Sequence, residues 1–403
     1  MSISIRESNW VSQIMPAIQS IEIFSVTVAF KVPYKLSRLY GTLSTTTAIV
    51  VRLETKSGLV GWGEANPQPP FTEETPGGVM AALSDYLGPA LIGLDGTNPN
   101  AAMADMEATL SGNLSAKAAV DMALHDITGK AAGLPVHALL GGALRQSIDV
   151  LWPLGSGTHE EDFIVIDAKI AEGYRTFMAK MGAQPVDVEI ERMRVLTERY
   201  HPQVSFICDA NQGWSESEAL RFIQGVNSLP LALIEQPVAK HNFEAMKRLR
   251  QSSTAPISAD ESLQSLDQAA RLVHEQAADA FSLKVSKNGG IAAAQKMAVL
   301  AEAEGMTCLM NSMLELGITQ AASLQLGCTL PNLMDVGHAY MSTLRLADDI
   351  TDFSNLVSQG VARVPDGPGL GIAVDEEKLR RLADEHRHLE VSEGGLSMAG
   401  AMT

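Results

Sequence analysis

Residues 204–262 contain three short apolar runs, each ending on a carboxylate: VSFICDANQGW (204–214), LALIEQP (231–237) and PISADES (256–262). Each run has the brevity and the aliphatic or aromatic content of a buried strand. The grammar extends outward in both directions. Upstream lie DVLWPL (149–154) and TFMAKM (176–181); downstream lie AFSLKVS (280–286), MTCLMN (306–311) and NLMDV (332–336). Strand starts recur every 24 to 28 residues, the length of one βα unit. Between them stand amphipathic stretches such as VDVEIERMRVLTERY and SESEALRFIQGV, with apolar residues at helical spacing. Strands alternating with helices imply parallel pairing and right-handed crossovers. Eight such units predict an α/β protein built on a (β/α)8 barrel; a doubly wound open sheet is the alternative.

The flanks read differently. IEIFSVTV (21–28) alternates like a strand, and TAIVVRLETKSGLVGWGEA (47–65) reads as a hairpin turning at Lys56-Ser57-Gly58. AAVDMALHDITGKAAGLPVHALLGG (118–142) is helical until Gly133 and Pro135 break it. These features predict an N-terminal extension over 1–16, an α+β domain over 17–146 and the barrel over 147–343. A C-terminal segment over 344–390 carries a charged helix, DEEKLRRLADEH (375–386), and 391–403 reads as a flexible tail without packing signals.

With 30 Lys and Arg against 47 Asp and Glu, the net charge of −17 argues against nucleic acid as a partner, which would require a concentrated basic face. It leaves room for a small anion, because a metal ion can reverse the field inside one pocket. No apolar run reaches the length of a membrane span, so no membrane partner is expected. The N-terminus lacks the pattern of a secretion signal. Cys208, Cys308 and Cys328 are odd in number and lack CxxC spacing, as in reduced thiols of a cytoplasmic protein.

In a barrel, chemistry gathers at the C-terminal ends of the strands. Strand two ends in Lys180 and strand three in Asp209, with Asn211 two residues on. Strand four ends in Glu235, strand five in Asp260 and strand six in Lys284. Taken singly, each has an ordinary explanation, such as a helix cap for Asp209 and Asn211 or a snorkelling surface lysine. The shared position at the ends of apolar strands is what capping does not explain. Three neighbouring acids repel unless a cation neutralises them, and oxygen-only donors suit a hard ion such as Mg²⁺, with Mn²⁺ the other candidate. Strands two and six lie opposite in an eight-membered ring, so Lys180 and Lys284 should face each other with the acids on the arc between. A carboxylate substrate held there would have its α-proton acidified by the metal, and two lysines could remove and return that proton from opposite faces.

At these residues the sequence resembles the enolase superfamily and, within it, the muconate-lactonizing-enzyme subgroup. The resemblance spans about residues 17–385 and rests on VGWGEA, AAVDMALHDITGK with LLGG, GYRTFMAKMG, DANQGW, IEQP, ADES, LKVSKNGG and PDGPGLG. It implies a modified TIM-type barrel under an N-terminal capping domain that the C-terminal segment completes. It also implies metal ligation by Asp209, Glu235 and Asp260, acid–base roles for Lys180 and Lys284, and a homo-oligomer. One position departs. The subgroup usually has Lys-x-Lys at the end of strand two, and here Met178 stands where the auxiliary lysine is expected. Asn311-Ser312 replaces the histidine of a mandelate-racemase-type site, and Asp335-Val336-Gly337 lacks the second acid of dipeptide epimerases. His338, after strand eight, is a candidate substrate contact, and Glu315 a candidate to orient Lys284 or the substrate. Lys35, Arg38 and Tyr40 could close over the pocket from the cap. The implied activity is a Mg²⁺-dependent isomerisation of a small carboxylate, either racemisation or epimerisation, or muconate-type cycloisomerisation. Dehydration of a hydroxy acid or hydroxyproline-like substrate is the rival reaction, and a non-catalytic metal- or anion-binding barrel is the rival class.

Overall fold

The computed structural model describes residues 16–398. The proposed extension over 1–16 therefore lies, but for Pro16, outside the described residues, as do 399–403. A five-stranded antiparallel sheet begins the chain, with Ile18–Lys35 at its centre and Thr42–Thr55 and Val60–Ala65 to one side. Helix Leu114–Ala132 lies across this sheet. Gly61 and Gly63 of VGWGEA make that approach possible, because a Cβ at either would strike the backbone carbonyls of Ala123 or Ala119.

Seven parallel strands follow, each hydrogen-bonded to the next: Leu151–Leu154, Thr176–Lys180, Ser205–Asp209, Leu231–Glu235, Ile257–Ala259, Ala280–Leu283 and Thr307–Met310. Their register levels the strand ends. Lys180 pairs with Asp209, Asp209 with Glu235, and Glu235 with Ser258, two residues before Asp260. The predicted eighth strand, NLMDV, forms no ladder. The segment closes the ring through two isolated bridges, Cys308 to Leu333 and Val150 to His338. Gly337 there runs against the Val150 backbone too closely for any side chain, and its N–H is spent on the Thr176 hydroxyl at 2.8 Å. The closure is thus made by a few backbone hydrogen bonds at each bridge, such as Met334 N–H to the Cys308 carbonyl at 3.0 Å and Leu151 N–H to the His338 carbonyl at 2.9 Å, in place of a regular strand.

Two differences fall in the C-terminal segment. The predicted helix over 375–386 stops at Leu382, and Ala383–Ser392 pairs antiparallel with the first strand. Residues 391–398 are not a loose tail: Gly395–Met398 folds back on Ala383–Ser392 as the outermost strand. Local helical periodicity lost here to the unpaired edge of a distant strand. Among the described residues no helix is long and apolar enough to cross a membrane.

Candidate active site

Each charged strand end is buried and paired. Lys180 Nζ donates to Asp209, whose other oxygen accepts the Asn211 N–H at 2.9 Å. Lys284 Nζ donates to Asp260 Oδ2 at 2.6 Å. Glu235 lies between them and accepts from Ser282 Oγ at 2.6 Å and Asn311 Nδ2 at 2.8 and 3.1 Å. Burial and the charges of Asp209 and Asp260 push the Glu235 carboxyl well above its usual range, which shows that the three acids sense one another. Burial works against the Asp260 carboxylate, but Lys284 and Lys287 pull it below the ordinary value. Both lysines are likewise opposed by burial, and the facing carboxylates leave both above their ordinary values.

Lys180 and Lys284 line one small pocket together with Met178, Asn211 and Asn311. The cap closes it with Tyr34 and Leu36 from the end of the first strand and the residue after it, and with Gln68 and Phe71 from a loop. Lys284 Nζ sits 4.4 Å from the Phe71 ring centroid, a placement that favours the ammonium. Met313, Leu314 and Met341 make much of the remaining wall apolar.

The other predicted residues divide. Met178 does line the pocket on the same strand face as Lys180. Tyr40 reaches Glu261 at 3.2 Å, behind Asn211, and is absent from the pocket wall. Arg38 points outward into a bidentate pair with Glu218, at 2.7 and 3.1 Å, and does not cover the pocket. His338 is no substrate contact: its Nδ1 accepts the Met310 N–H at 2.9 Å and its Nε2 faces the Met334 carbonyl at 3.3 Å. Burial lowers its pKa to about 4, so the ring is a neutral clip for the barrel's closing segment. Glu315 does not reach Lys284. Its oxygens take the Met313 N–H, Ser312 Oγ at 2.8 Å and Gln320 Nε2 at 2.7 Å, fixing the turn after strand seven.

Several neighbours escaped the sequence reading. Lys287 is buried and donates to both the carbonyl and Oδ1 of Asp260, the latter at 2.8 Å. Glu261, raised to about 8 by burial and by Asp260 and Asp209, accepts from Tyr40 and Asn211. Ser282, two residues before Lys284 on the same strand face, was the one addition a period-of-two reading could have supplied.

Oxygen donors on three level strand ends suit a hard divalent cation. Among the described residues no three such side chains converge as a ready cage, since Asp209 and Asp260 are each turned onto an ammonium. The donor set itself fits a cation: three buried carboxylates stand on adjacent strand ends, and a positive ion among them would relieve their mutual repulsion.

A capped barrel with this mouth is the architecture of an enolase-superfamily enzyme. Residues 164–378 match the model for the enolase C-terminal domain-like family, and 18–141 match the mandelate racemase / muconate lactonizing enzyme N-terminal domain. A chloromuconate cycloisomerase of Pseudomonas putida is 34% identical over 366 residues, 90% of this chain and 98% of that one. Muconate lactonizing enzyme from Pseudomonas fluorescens, solved with muconolactone, superposes with a TM-score of 0.87 at 34% identity, covering 92% of this chain and 100% of the other. An N-succinyl Arg/Lys racemase from Bacillus cereus superposes equally well, at 0.87 and 29% identity, over 91% and 98% of the two chains. The chain belongs to the mandelate racemase / muconate lactonizing enzyme family of the enolase superfamily. It is an enzyme, an isomerase.

Proposed function

We propose that the chain isomerises a small carboxylate by moving its α-proton between Lys180 and Lys284, through an enediolate, with Asp209, Glu235 and Asp260 as the ligands of Mg²⁺ or Mn²⁺. The observation that carries this reading is the pair of buried lysines from opposed strands, both lining one pocket and each bonded to an acid that flanks Glu235. A divalent cation at the three acids would supply the charge that acidifies the α-proton of a bound carboxylate. Lys180, once its hold on Asp209 is relaxed, loses the attraction that keeps it protonated, and burial then favours the neutral amine a base requires. Lys284 stays beside the Phe71 face and is the better placed proton donor.

Removal on one face and return on the other is racemisation or epimerisation. The pocket wall favours it, because Lys180 and Lys284 are the only cationic side chains lining the pocket among the described residues, with none left over for a second carboxylate. Muconate-type cycloisomerisation is the second reading, favoured by the names of the relatives at 33–36% identity. Incubation of candidate acids with the protein and Mg²⁺ in D₂O separates them: α-deuterium marks racemisation, and a lactone marks cyclisation. Full activity in both Lys180→Ala and Lys284→Ala would remove the two-lysine reading. A homo-oligomer is inferred from the family resemblance, and a monomer's mass by light scattering would remove it.

A further inference from the structure

Tyr34 and Pro153 line a second and larger cavity besides the lysine pocket, of about 600 Å³. It lies between the end of the first strand, the first barrel strand and helix His159–Ala171. Its volume is that of a site for a whole small molecule. Trp152, Ile164, Val165 and Leu344 give it a largely apolar wall.

Its charge is unlike that of the chain as a whole. Lys31, Lys35, Lys169 and Arg345 line it; among the described residues Lys169 is held by Glu172 at 2.6 Å and lies 3.8 Å from the Trp152 ring centroid, while the other three form no ion pair with a carboxylate. The two acids in the wall are occupied: Asp162 by Arg192 at 2.7 and 2.9 Å, and Glu161 by the Thr158 N–H at 3.1 Å. Arg345 lies with its guanidinium carbon 3.8 Å from the Tyr34 ring centroid, and its Nη1 is buried without a hydrogen-bond partner. A buried donor left unpaired is costly, and an arginine fork matches a carboxylate. Lys180 Nζ lies 5.9 Å from the centroid of the same Tyr34 ring, so the wall between the two pockets is shared.

We propose that this cavity binds a small amphipathic carboxylate, with its acid group at Arg345 and its alkyl or aryl body along Trp152, Ile164 and Val165. The site is distinct from the three strand-end acids and does not depend on the reaction proposed above.

Titration calorimetry of the full chain in metal-free buffer, with octanoate as probe and octanol as its uncharged match, tests this. One octanoate per chain is expected, with octanol at least about tenfold weaker, the scale of one lost charge-assisted bond. Arg345→Met should weaken octanoate by a similar factor, and Arg345→Lys by less. Because Arg345 stacks on Tyr34, its loss could disturb folding. Ile164→Glu provides the independent arm: Ile164 is 75% exposed, so the change leaves the core intact while setting a carboxylate at the cavity. It too should weaken octanoate about tenfold with an unchanged melting temperature. Absence of octanoate binding, octanol as tight as octanoate, or undiminished octanoate affinity in Ile164→Glu overturns the proposal. Dissociation of an oligomer by Ile164→Glu without a change in octanoate affinity also overturns it, and marks the cavity as a contact between copies.

Discussion

Met178→Lys probes the mouth of the barrel through a single charge. Met178 and Lys180 lie two residues apart on one strand and line the same pocket. A rise of about 3.3 Å per residue separates the two side chains by roughly 6.6 Å. Two ammonium charges at that spacing, in an effective dielectric of about 20, repel by about 2.5 kcal/mol, or roughly 1.8 pKa units. The sign is fixed: a like charge disfavours the ammonium, so Lys180 should release its proton at lower pH. If Lys180 is the base, deuterium incorporation at the substrate's α-carbon falls as that amine gains a proton. The acid limb of the pH–rate profile should therefore move down by about one to two units in Met178→Lys. Met178→Gln, similar in length and neutral, should leave the limb in place. The reasoning is refuted if the limb of a folded Met178→Lys protein stays where it was or moves up.

Three further perturbations test the framework around the site. Glu64 of VGWGEA accepts the N–H groups of Leu316 and Thr319 at 2.7 and 2.9 Å, tying the cap to the start of helix Gly317–Gly327; Glu64→Ala leaves both buried donors unpaired. A loss of about 2–5 kcal/mol in urea unfolding is expected, and a loss near zero would contradict the docking role. Arg192 grips Asp162 and donates to the carbonyls of Lys180 and Gly155, both at 2.8 Å. Arg192→Leu should cost about 3–5 kcal/mol, because it strands the buried Asp162 charge, and should slow α-proton exchange by loosening the end of strand two. His338 titrates at about 4 in the folded chain, below its ordinary 6.5, so the unfolded chain takes up the proton first as pH falls. Its contribution is present above the unfolded value and is lost as pH falls toward about 4, by about 3 kcal/mol. His338→Gln should lack that part of the acid-side loss, measured by urea unfolding at neutral pH and near 4.

Much of the site was legible because its signals are local. A charged residue that interrupts an apolar run just before a turn announces a strand end, and a spacing near 26 residues announces the next strand beside it. Asp209, Glu235 and Asp260, with Lys180 and Lys284, followed from those two facts together. What surrounds them did not follow. Lys287 reads as an ordinary loop lysine until the turn after strand six carries it back onto Asp260. Glu261 is drawn against Tyr40 and Asn211, and the following helix, Leu266–His274, takes Ser265 as its cap.

The sequence by itself determined the alternation of strands and helices, the two-part organisation and the charged strand ends, because periodicity and turn chemistry are properties of neighbouring residues. Only the tertiary structure decided which polar groups meet. It turned His338 and Glu315 onto backbone and loop partners, sent Arg38 outward to Glu218, closed the barrel without a regular eighth strand, and drew Ala383–Ser392 onto the first strand. Except for Glu315, whose partners Ser312, Met313 and Gln320 are near neighbours, a deciding partner lies far along the chain. A buried donor or acceptor is satisfied by whichever group the fold brings within hydrogen-bond reach, and sequence distance does not encode that.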